Sequence, residues 1–181
     1  MARLTAVDST TATGKAKQLL DAVQAKLKIT PNMTKVMANS PAVLEGYLSF
    51  SGALAGGAVD AKLREQIALE VAELNGCEYC LSAHTTIGKM VGLNHAEIEA
   101  GRDGRSDTPK TAAALQFVRE LVTKKGRLGN ADVEAVRKAG FNDGEIAELI
   151  ANTVLNIFTN YFNNTTDVDI DFPKVSLRKA T

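Results

Sequence analysis

The sequence has no tryptophan, only 5% aromatic residues, and only two cysteines and two histidines among its 181 residues. Because cytosolic thiol pools keep exposed cysteine pairs reduced, we expect these two cysteines to be redox-active or metal-binding rather than a permanent structural crosslink. Lysine and arginine together number 21, which equals the number of aspartates and glutamates, and we find no clustered basic stripe. A surface with balanced charge supplies no field to attract nucleic acid or an anionic membrane. We therefore expect no nucleic-acid partner and no membrane partner.

Long apolar runs are also missing, since no stretch approaches the 18 residues that indicate a membrane-spanning helix. The segment Met1 to Thr13 lacks the basic and then apolar pattern of a signal peptide. These two absences predict a soluble, cytoplasmic protein. Hydrophobic residues make up 45% of the chain, which is enough for an aliphatic core of ordinary size. We expect a single domain over residues 1–181.

Apolar residues recur at helical spacing along almost the whole chain, whereas strand signals are nearly absent. Capping residues, prolines in first turns and glycines after last turns mark the helix boundaries. The signals predict helices beginning at or near Leu19, Pro31, Ser40, Asp60, Cys77, Asn94, Thr108, Asn130 and Asn142. The last helix is predicted to reach about Asn163, followed by an extended surface tail over about 165–181. The expected fold class is all-α.

The two cysteines lie three residues apart, and one of the two histidines follows one helical turn later. If Gly76 breaks the chain and a helix begins near Cys77, then Cys77, Cys80 and His84 project from one helix face. The helix dipole and the free backbone N–H groups of a first turn favour thiolate over thiol. The sequence therefore predicts a reactive dithiol beside a histidine, within a helix pair over residues 60–91.

Spacing distinguishes the two sulfurs. Cys80 lies four residues from His84, whereas Cys77 lies two turns away from it. A neutral imidazole accepts the thiol proton and an imidazolium stabilises the thiolate, so His84 favours the Cys80 thiolate in either description. We expect Cys80 to attack a peroxide and Cys77 to resolve the sulfenic acid by forming a disulfide.

An orienting acceptor for His84 is expected on the preceding helix, and a carboxylate is the usual choice. Helical phase alone leaves Glu65, Glu70 and Glu73 open for this role. A zinc site is another possible use of the cysteines, but it needs a fourth ligand, for which His95 or Glu65 would have to serve. No second cysteine pair exists, and we expect His95 to be an exposed helix-start residue outside the site.

The glutamate, the cysteines and the histidine resemble the motif E-x11-C-x2-C-x3-H of the AhpD-like alkyl hydroperoxidases, in the carboxymuconolactone decarboxylase superfamily. All four motif positions are present at the right spacings, as Glu65, Cys77, Cys80 and His84. The helical pattern and the closing Asp171-Phe172-Pro173 are similar to the peroxidase-related branch. By this resemblance, Glu65 starts a proton relay through His84 to Cys80, and Cys77 closes the disulfide.

The resemblance also implies a fold, an activity and partners. It implies an AhpD-like helical bundle that assembles as a homotrimer or homohexamer and needs no metal or flavin. The implied activity is antioxidant: reduction of hydrogen peroxide or small organic hydroperoxides, with a lipoyl-type or similar dithiol as the reductant. One position departs from the family pattern, because well-studied AhpD proteins carry a histidine directly before the second cysteine and this chain has Tyr79.

Two other functions are compatible with the same motif. A disulfide oxidoreductase of the same fold would use the two cysteines on another disulfide, and a non-catalytic helical oligomer or zinc-binding module would only retain the motif.

The helix that begins at Asp60 is apolar on more than one side, which is typical of helices buried within a bundle or between subunits. Decarboxylation, which gives the superfamily its name, needs no paired cysteines and is disfavoured.

The last long helix carries a polar stripe along an otherwise apolar surface. Its members are Asn152, Asn156, Asn160 and Asn163. Because buried amides must be paired, we expect a hydrogen-bond ladder between helices or subunits. The other possibility is a polar wall of a substrate channel.

Overall fold

The computed structural model describes residues 2–178, which form nine α-helices and no strand. Met1 and residues 179–181, the ends of the predicted domain and tail, lie outside the described residues. The all-α prediction is confirmed. The helices are α1 (Gly14–Leu27), α2 (Asn32–Met37), α3 (Pro41–Ala55), α4 (Ala61–Leu74), α5 (Glu78–Met90), α6 (His95–Arg102), α7 (Pro109–Thr123), α8 (Asn130–Lys138) and α9 (Asp143–Thr166).

Side-chain caps fix several helix starts where the sequence predicted them. Asp60 accepts a hydrogen bond from the backbone N–H of Leu63 at 3.0 Å, which caps α4. Asn94 and Asn142 each form a reciprocal capping box with the glutamate three residues later. Such caps satisfy backbone donors that the helix itself leaves unpaired.

Other boundaries differ from the prediction. The first helix begins at Gly14, before the apolar stripe that starts at Leu19, because polar residues form its first turn. The N-cap of α8 is Gly129 rather than Asn130, and Pro31 is the N-cap of α2 rather than part of its first turn. The last helix runs to Thr166 and stops where Asp167 adopts a left-handed conformation.

The helix α4 is the centre of the bundle and packs against α5, α6, α7 and α9. One of its faces places Leu69 in a core cluster with Leu81 of the dithiol helix and with the tail. Its other face places Ile67 in a second cluster with residues of α7 and α9. Both side chains are fully buried, so α4 is a rigid support for the residues it carries.

The tail after α9 packs along α5. Its backbone N–H at Val175 donates to the Ser82 hydroxyl at 3.0 Å, and the Phe172 ring meets Tyr79 edge-on with centroids 5.7 Å apart. Residues 168–178 of the tail form neither helix nor strand, and several of their apolar side chains are partly buried against the core. In residues 2–178, no helix has both the length and the apolar character needed to cross a bilayer.

Candidate active site

The turn between α4 and α5 sets the position of the dithiol. Gly76 has a φ of 64°, a left-handed conformation that glycine adopts without a steric penalty. The Cys77 N–H donates to the carbonyl of Ala72 at 2.9 Å, and the Gly76 N–H to that of Glu73 at 3.2 Å, so the backbone donors of the turn bond back to the end of α4. The chain therefore leaves α4 and enters α5 with Cys77 as the N-cap.

The two sulfurs lie together and form a disulfide, with the Cα atoms 5.3 Å apart. The Cys77 sulfur also accepts a hydrogen bond from the Cys80 backbone N–H at 3.2 Å, within the first turn of α5. Both residues are buried, with 0% of Cys77 and 3% of Cys80 exposed. The dipole and the free backbone N–H groups at the start of α5 thus favour a thiolate over a thiol, and burial in the core limits which molecules reach the two sulfurs.

His84 is paired with Glu65 across α4 and α5. Its Nδ1 lies 2.7 Å from Glu65 Oε2, and the side chains are 22% and 15% exposed. A carboxylate at Nδ1 favours the tautomer with the proton on Nδ1, which leaves the lone pair on Nε2 for proton exchange. The imidazole is thereby oriented by a neighbouring helix while it sits one turn after Cys80.

The other two candidate carboxylates on α4 have different partners. Glu73 accepts from the Arg102 guanidinium, with Nε to Oε1 at 2.6 Å. Glu70 is fully buried beside Arg119, with 3.0 Å between Nε and Oε1. Burial raises the pKa of Glu70 to about 8. The charge and the hydrogen bond of Arg119 act in the opposite direction but offset only part of this rise. Of the three carboxylates that helical phase left open, Glu65 is therefore the one next to His84.

Tyr79 packs between α2 and the tail. Its hydroxyl accepts from the Met33 backbone N–H at 3.2 Å, and Asp171 lies close enough to raise the pKa of the phenol beyond the effect of burial. The Asp171 carboxylate also accepts from the Asn32 backbone N–H at 2.8 Å. Tyr79 therefore connects α2 and the tail to the dithiol helix.

The asparagine stripe of α9 divides into two pairs. Asn152 and Asn156 donate to carbonyls of their own helix, at 2.8 and 2.9 Å. Asn160 accepts from the Asn75 side chain at 3.0 Å, and Asn163 contacts sulfur atoms of other helices. The expected interhelical bonding is therefore found for the second pair only. The sequence did not predict the contact between Asn163 and Cys80, because a position in the asparagine stripe does not indicate which helix the side chain faces.

An apolar groove of about 380 Å³ runs between α3 and α9. Tyr47 forms part of its wall, and burial raises the pKa of this tyrosine, with a further contribution from the charge of Glu65. The wall also includes Ala42, Val43, Gly46, Phe50, Val154, Leu155 and Phe158. The groove thus presents an apolar surface between α3 and α9.

His95 is exposed as the first residue of α6, as predicted, and is not part of this constellation. Across residues 2–178 we find no group of three or more histidine, cysteine, aspartate or glutamate side chains arranged to hold a metal ion.

The fold and the site define an all-helical dithiol protein in which a glutamate–histidine pair stands beside a CxxC disulfide. Residues 41–122 match the model of the carboxymuconolactone decarboxylase family. This match covers less than half of the chain, so the chain is similar to this family over α3 to α7, and the solved structures described below share its fold. The comparison with curated proteins gave no match.

Solved structures share this fold over most of both chains. A peroxidase-related protein with the alkylhydroperoxidase AhpD core from Ralstonia eutropha JMP134 has a TM-score of 0.85 at 22% identity, covering 94% of this chain and 92% of that one. A peroxidase-related protein from Silicibacter sp. TM1040 has a TM-score of 0.78 at 24% identity, covering 91% of each. The debrominase Bmp8, in its apo form, has a TM-score of 0.79 at 20% identity, covering 93% of this chain and 91% of that one.

Proposed function

We propose that this chain is a thiol-dependent peroxidase that reduces hydrogen peroxide or small organic hydroperoxides through Cys80 and Cys77. The observation that carries the proposal is the combination of two sulfurs at bonding distance with a Glu65–His84 pair at 2.7 Å one helical turn away. The match of residues 41–122 to the carboxymuconolactone decarboxylase family and the fold shared with the peroxidase-related neighbours support it.

The first step oxidises Cys80. Glu65 holds the Nδ1 proton of His84, and Nε2 takes the thiol proton of Cys80. The thiolate attacks one peroxide oxygen, so an S–O bond forms while the O–O bond breaks. The departing oxygen receives the proton from His84 and leaves as water or an alcohol, and Cys80 is left as a sulfenic acid.

The second step closes the disulfide and the third reopens it. The Cys77 sulfur attacks the sulfenic sulfur of Cys80, and water leaves with the thiol proton. A lipoyl-type or similar dithiol then exchanges with the disulfide, becoming a disulfide itself and returning two thiols. The cycle consumes one peroxide and one dithiol, and no step requires a metal or a flavin.

The groove beside Tyr47 suits the apolar part of an organic hydroperoxide, because its walls are aliphatic and aromatic. Apolar side chains of α9 that do not line the groove are also exposed, including Ile150 and Tyr161. Exposed apolar patches mark interaction surfaces, so a homotrimer or homohexamer is part of the proposal. We place the protein in the cytoplasm, where dithiol donors are kept reduced.

A disulfide oxidoreductase of the same fold is the second candidate, favoured by the disulfide that Cys77 and Cys80 form. Such a protein reacts slowly with peroxide and exchanges readily with model disulfides. A zinc-binding module would instead copurify with about one zinc per chain and resist thiol titration until it is chelated.

Single-cysteine variants test the proposed cycle with cumene hydroperoxide and dihydrolipoamide. The wild type should turn over, and Cys80→Ser should abolish both turnover and sulfenic acid formation. Cys77→Ser should lose turnover but still form a sulfenic acid that dimedone traps. Trapping in Cys80→Ser and not in Cys77→Ser would reverse the roles of the two sulfurs, and trapping in neither would contradict the peroxidase proposal.

A further inference from the structure

A side-chain amide from a distant helix reaches the reactive sulfur. The Nδ2 of Asn163, on α9, lies 3.3 Å from Cys80 Sγ and 3.3 Å from the thioether sulfur of Met33. All three residues are buried, with 3% of Asn163 exposed. The cluster joins α2, α5 and α9 at a single point inside the protein.

The chemistry of the two sulfurs fixes which end of the amide faces them. A disulfide sulfur and a thioether sulfur carry no hydrogen, so each acts only as an acceptor. The NH2 end of Asn163 must therefore point at Cys80 and Met33. Its Oδ1 is buried and finds no hydrogen-bond partner in the part of the chain that the structure describes. An unpaired buried carbonyl costs free energy. The amide nevertheless has this orientation, in which its NH2 group contacts both sulfurs.

The two cysteines differ in the donors that surround them. Cys77 has the backbone N–H of Cys80 at 3.2 Å, as expected for an N-cap position. Cys80 has the Asn163 amide at 3.3 Å and is followed one turn later by His84. A thiolate accepts a stronger hydrogen bond than a thiol or a thioether does, because its sulfur carries the full charge. A donor aimed at Cys80 thus stabilises negative charge on that sulfur in particular.

We propose that the Asn163 side-chain amide is the donor that stabilises the Cys80 thiolate and so makes Cys80, rather than Cys77, the attacking sulfur. The inference rests on the proposed peroxidase function and adds a positioning residue to it. His84 removes the proton, and Asn163 holds the charge that remains. The amide is fixed for this task by its second contact with Met33 and by the rigid helix that carries it.

The test measures thiolate formation without any peroxide. In a Cys77→Ser background, Cys80 is the single thiol, and its ionisation is followed by absorbance near 240 nm as pH is raised. Asn163→Leu keeps the size of the side chain and removes the donor. We expect the midpoint to rise by about one pH unit, which is a roughly tenfold loss of thiolate at lower pH. Asn156→Leu is the matched control, since Asn156 bonds only to its own helix, and should leave the midpoint unchanged.

An unchanged midpoint in a folded Asn163→Leu chain would overturn the inference. If that variant does not fold, the chain with Asn163 intact gives the answer by NMR. The side-chain amide protons of Asn163 should then move downfield with the same midpoint as the thiol, and amide signals that do not titrate would equally overturn it. Because neither readout uses turnover, a chain without peroxidase activity can still show the amide effect, so the two proposals fail separately.

Discussion

Three glutamates of α4 face three different environments, and these environments decide what each carboxylate can do. Glu65 is paired with His84 near the dithiol, Glu73 is paired with Arg102, and Glu70 is enclosed beside Arg119. Only the first can orient an imidazole. The other two pair with arginines of neighbouring helices. Substitutions of Glu70 and Glu73 can therefore be compared with a substitution of Glu65 on the same helix.

Replacing Glu65 with glutamine should slow the first chemical step. The amide keeps the shape of the side chain but loses the charge that stabilises the imidazolium formed when His84 takes the thiol proton. We expect the rate of Cys80 oxidation by peroxide to fall about tenfold near neutral pH, and to recover as pH rises and hydroxide removes the thiol proton. Stopped-flow measurement of thiol oxidation checks this. Glu73→Gln on the same helix should leave the rate unchanged, and an equal loss in both variants would contradict the assignment of Glu65.

Glu70 should make the stability of the protein depend on pH. Burial raises its pKa in the folded chain to about 8, whereas the ordinary value is 4.5. Between these values the folded chain holds a proton that the unfolded chain releases, so the free energy of unfolding falls as pH rises through this range. From about pH 6 to about pH 7.5 we expect a loss of about 2 kcal/mol from this group. Urea unfolding should show a smaller loss in Glu70→Gln, and parallel curves for the two proteins would show that Glu70 does not titrate in this range.

Helix α9 holds the loop before α4 through the carboxylate of Glu148. Glu148 accepts from the backbone N–H groups of Ala58 and Val59 at 2.9 and 2.8 Å. A Cβ on Gly57 would collide with this carboxylate unless the Glu148 side chain moved away from the loop. The contact fixes the start of the helix that carries Glu65.

Removing this carboxylate should destabilise the bundle. Glu148→Ala leaves two backbone donors without their acceptor, and we expect the free energy of unfolding to fall by about 1–3 kcal/mol. Glu134→Ala, which removes a half-exposed carboxylate on α8, should cost less than about 1 kcal/mol. Urea unfolding compares the two. Equal small losses would show that the Glu148 contact does not fix the loop.

The helices and several of their caps could be predicted from the sequence because the determinants are local. Asp60, Asn94 and Asn142 act on donors three residues away. The partner of His84 could not be predicted from helical phase, because it depends on how α4 and α5 pack. The same holds for Asn163, whose contact with Cys80 spans 83 positions of the chain. The family resemblance supplied Glu65 where local reasoning left three candidates.

At the scale of the whole molecule, the tail and α2 enclose the dithiol helix. Tyr79 bonds to α2 and meets Phe172 of the tail, while Lys174 pairs with Glu78 at 3.0 Å. The tail therefore packs over the first turns of α5, where both sulfurs are buried. Access of a large reductant to the disulfide requires this covering to move.

Deleting residues 168–181 should expose the thiols. In the reduced protein, both cysteines should react severalfold faster with an aromatic disulfide reagent, because the apolar side chains that cover α5 are gone. The rate in concentrated urea gives the upper limit, and circular dichroism shows whether the helices persist. Phe172→Ala is a milder version and should give a smaller increase. Unchanged reactivity in a folded truncated chain would mean that the reagent reaches the thiols by another route.

In the proposed cycle, one peroxide molecule oxidises both sulfurs of one chain. The most direct measurement is a count of free thiols in the reduced protein before and after one equivalent of hydrogen peroxide. The proposed cycle predicts a fall from two thiols to none in the wild type, with full recovery on adding dihydrolipoamide. Two thiols that persist after peroxide, or a loss that dihydrolipoamide does not reverse, would contradict it.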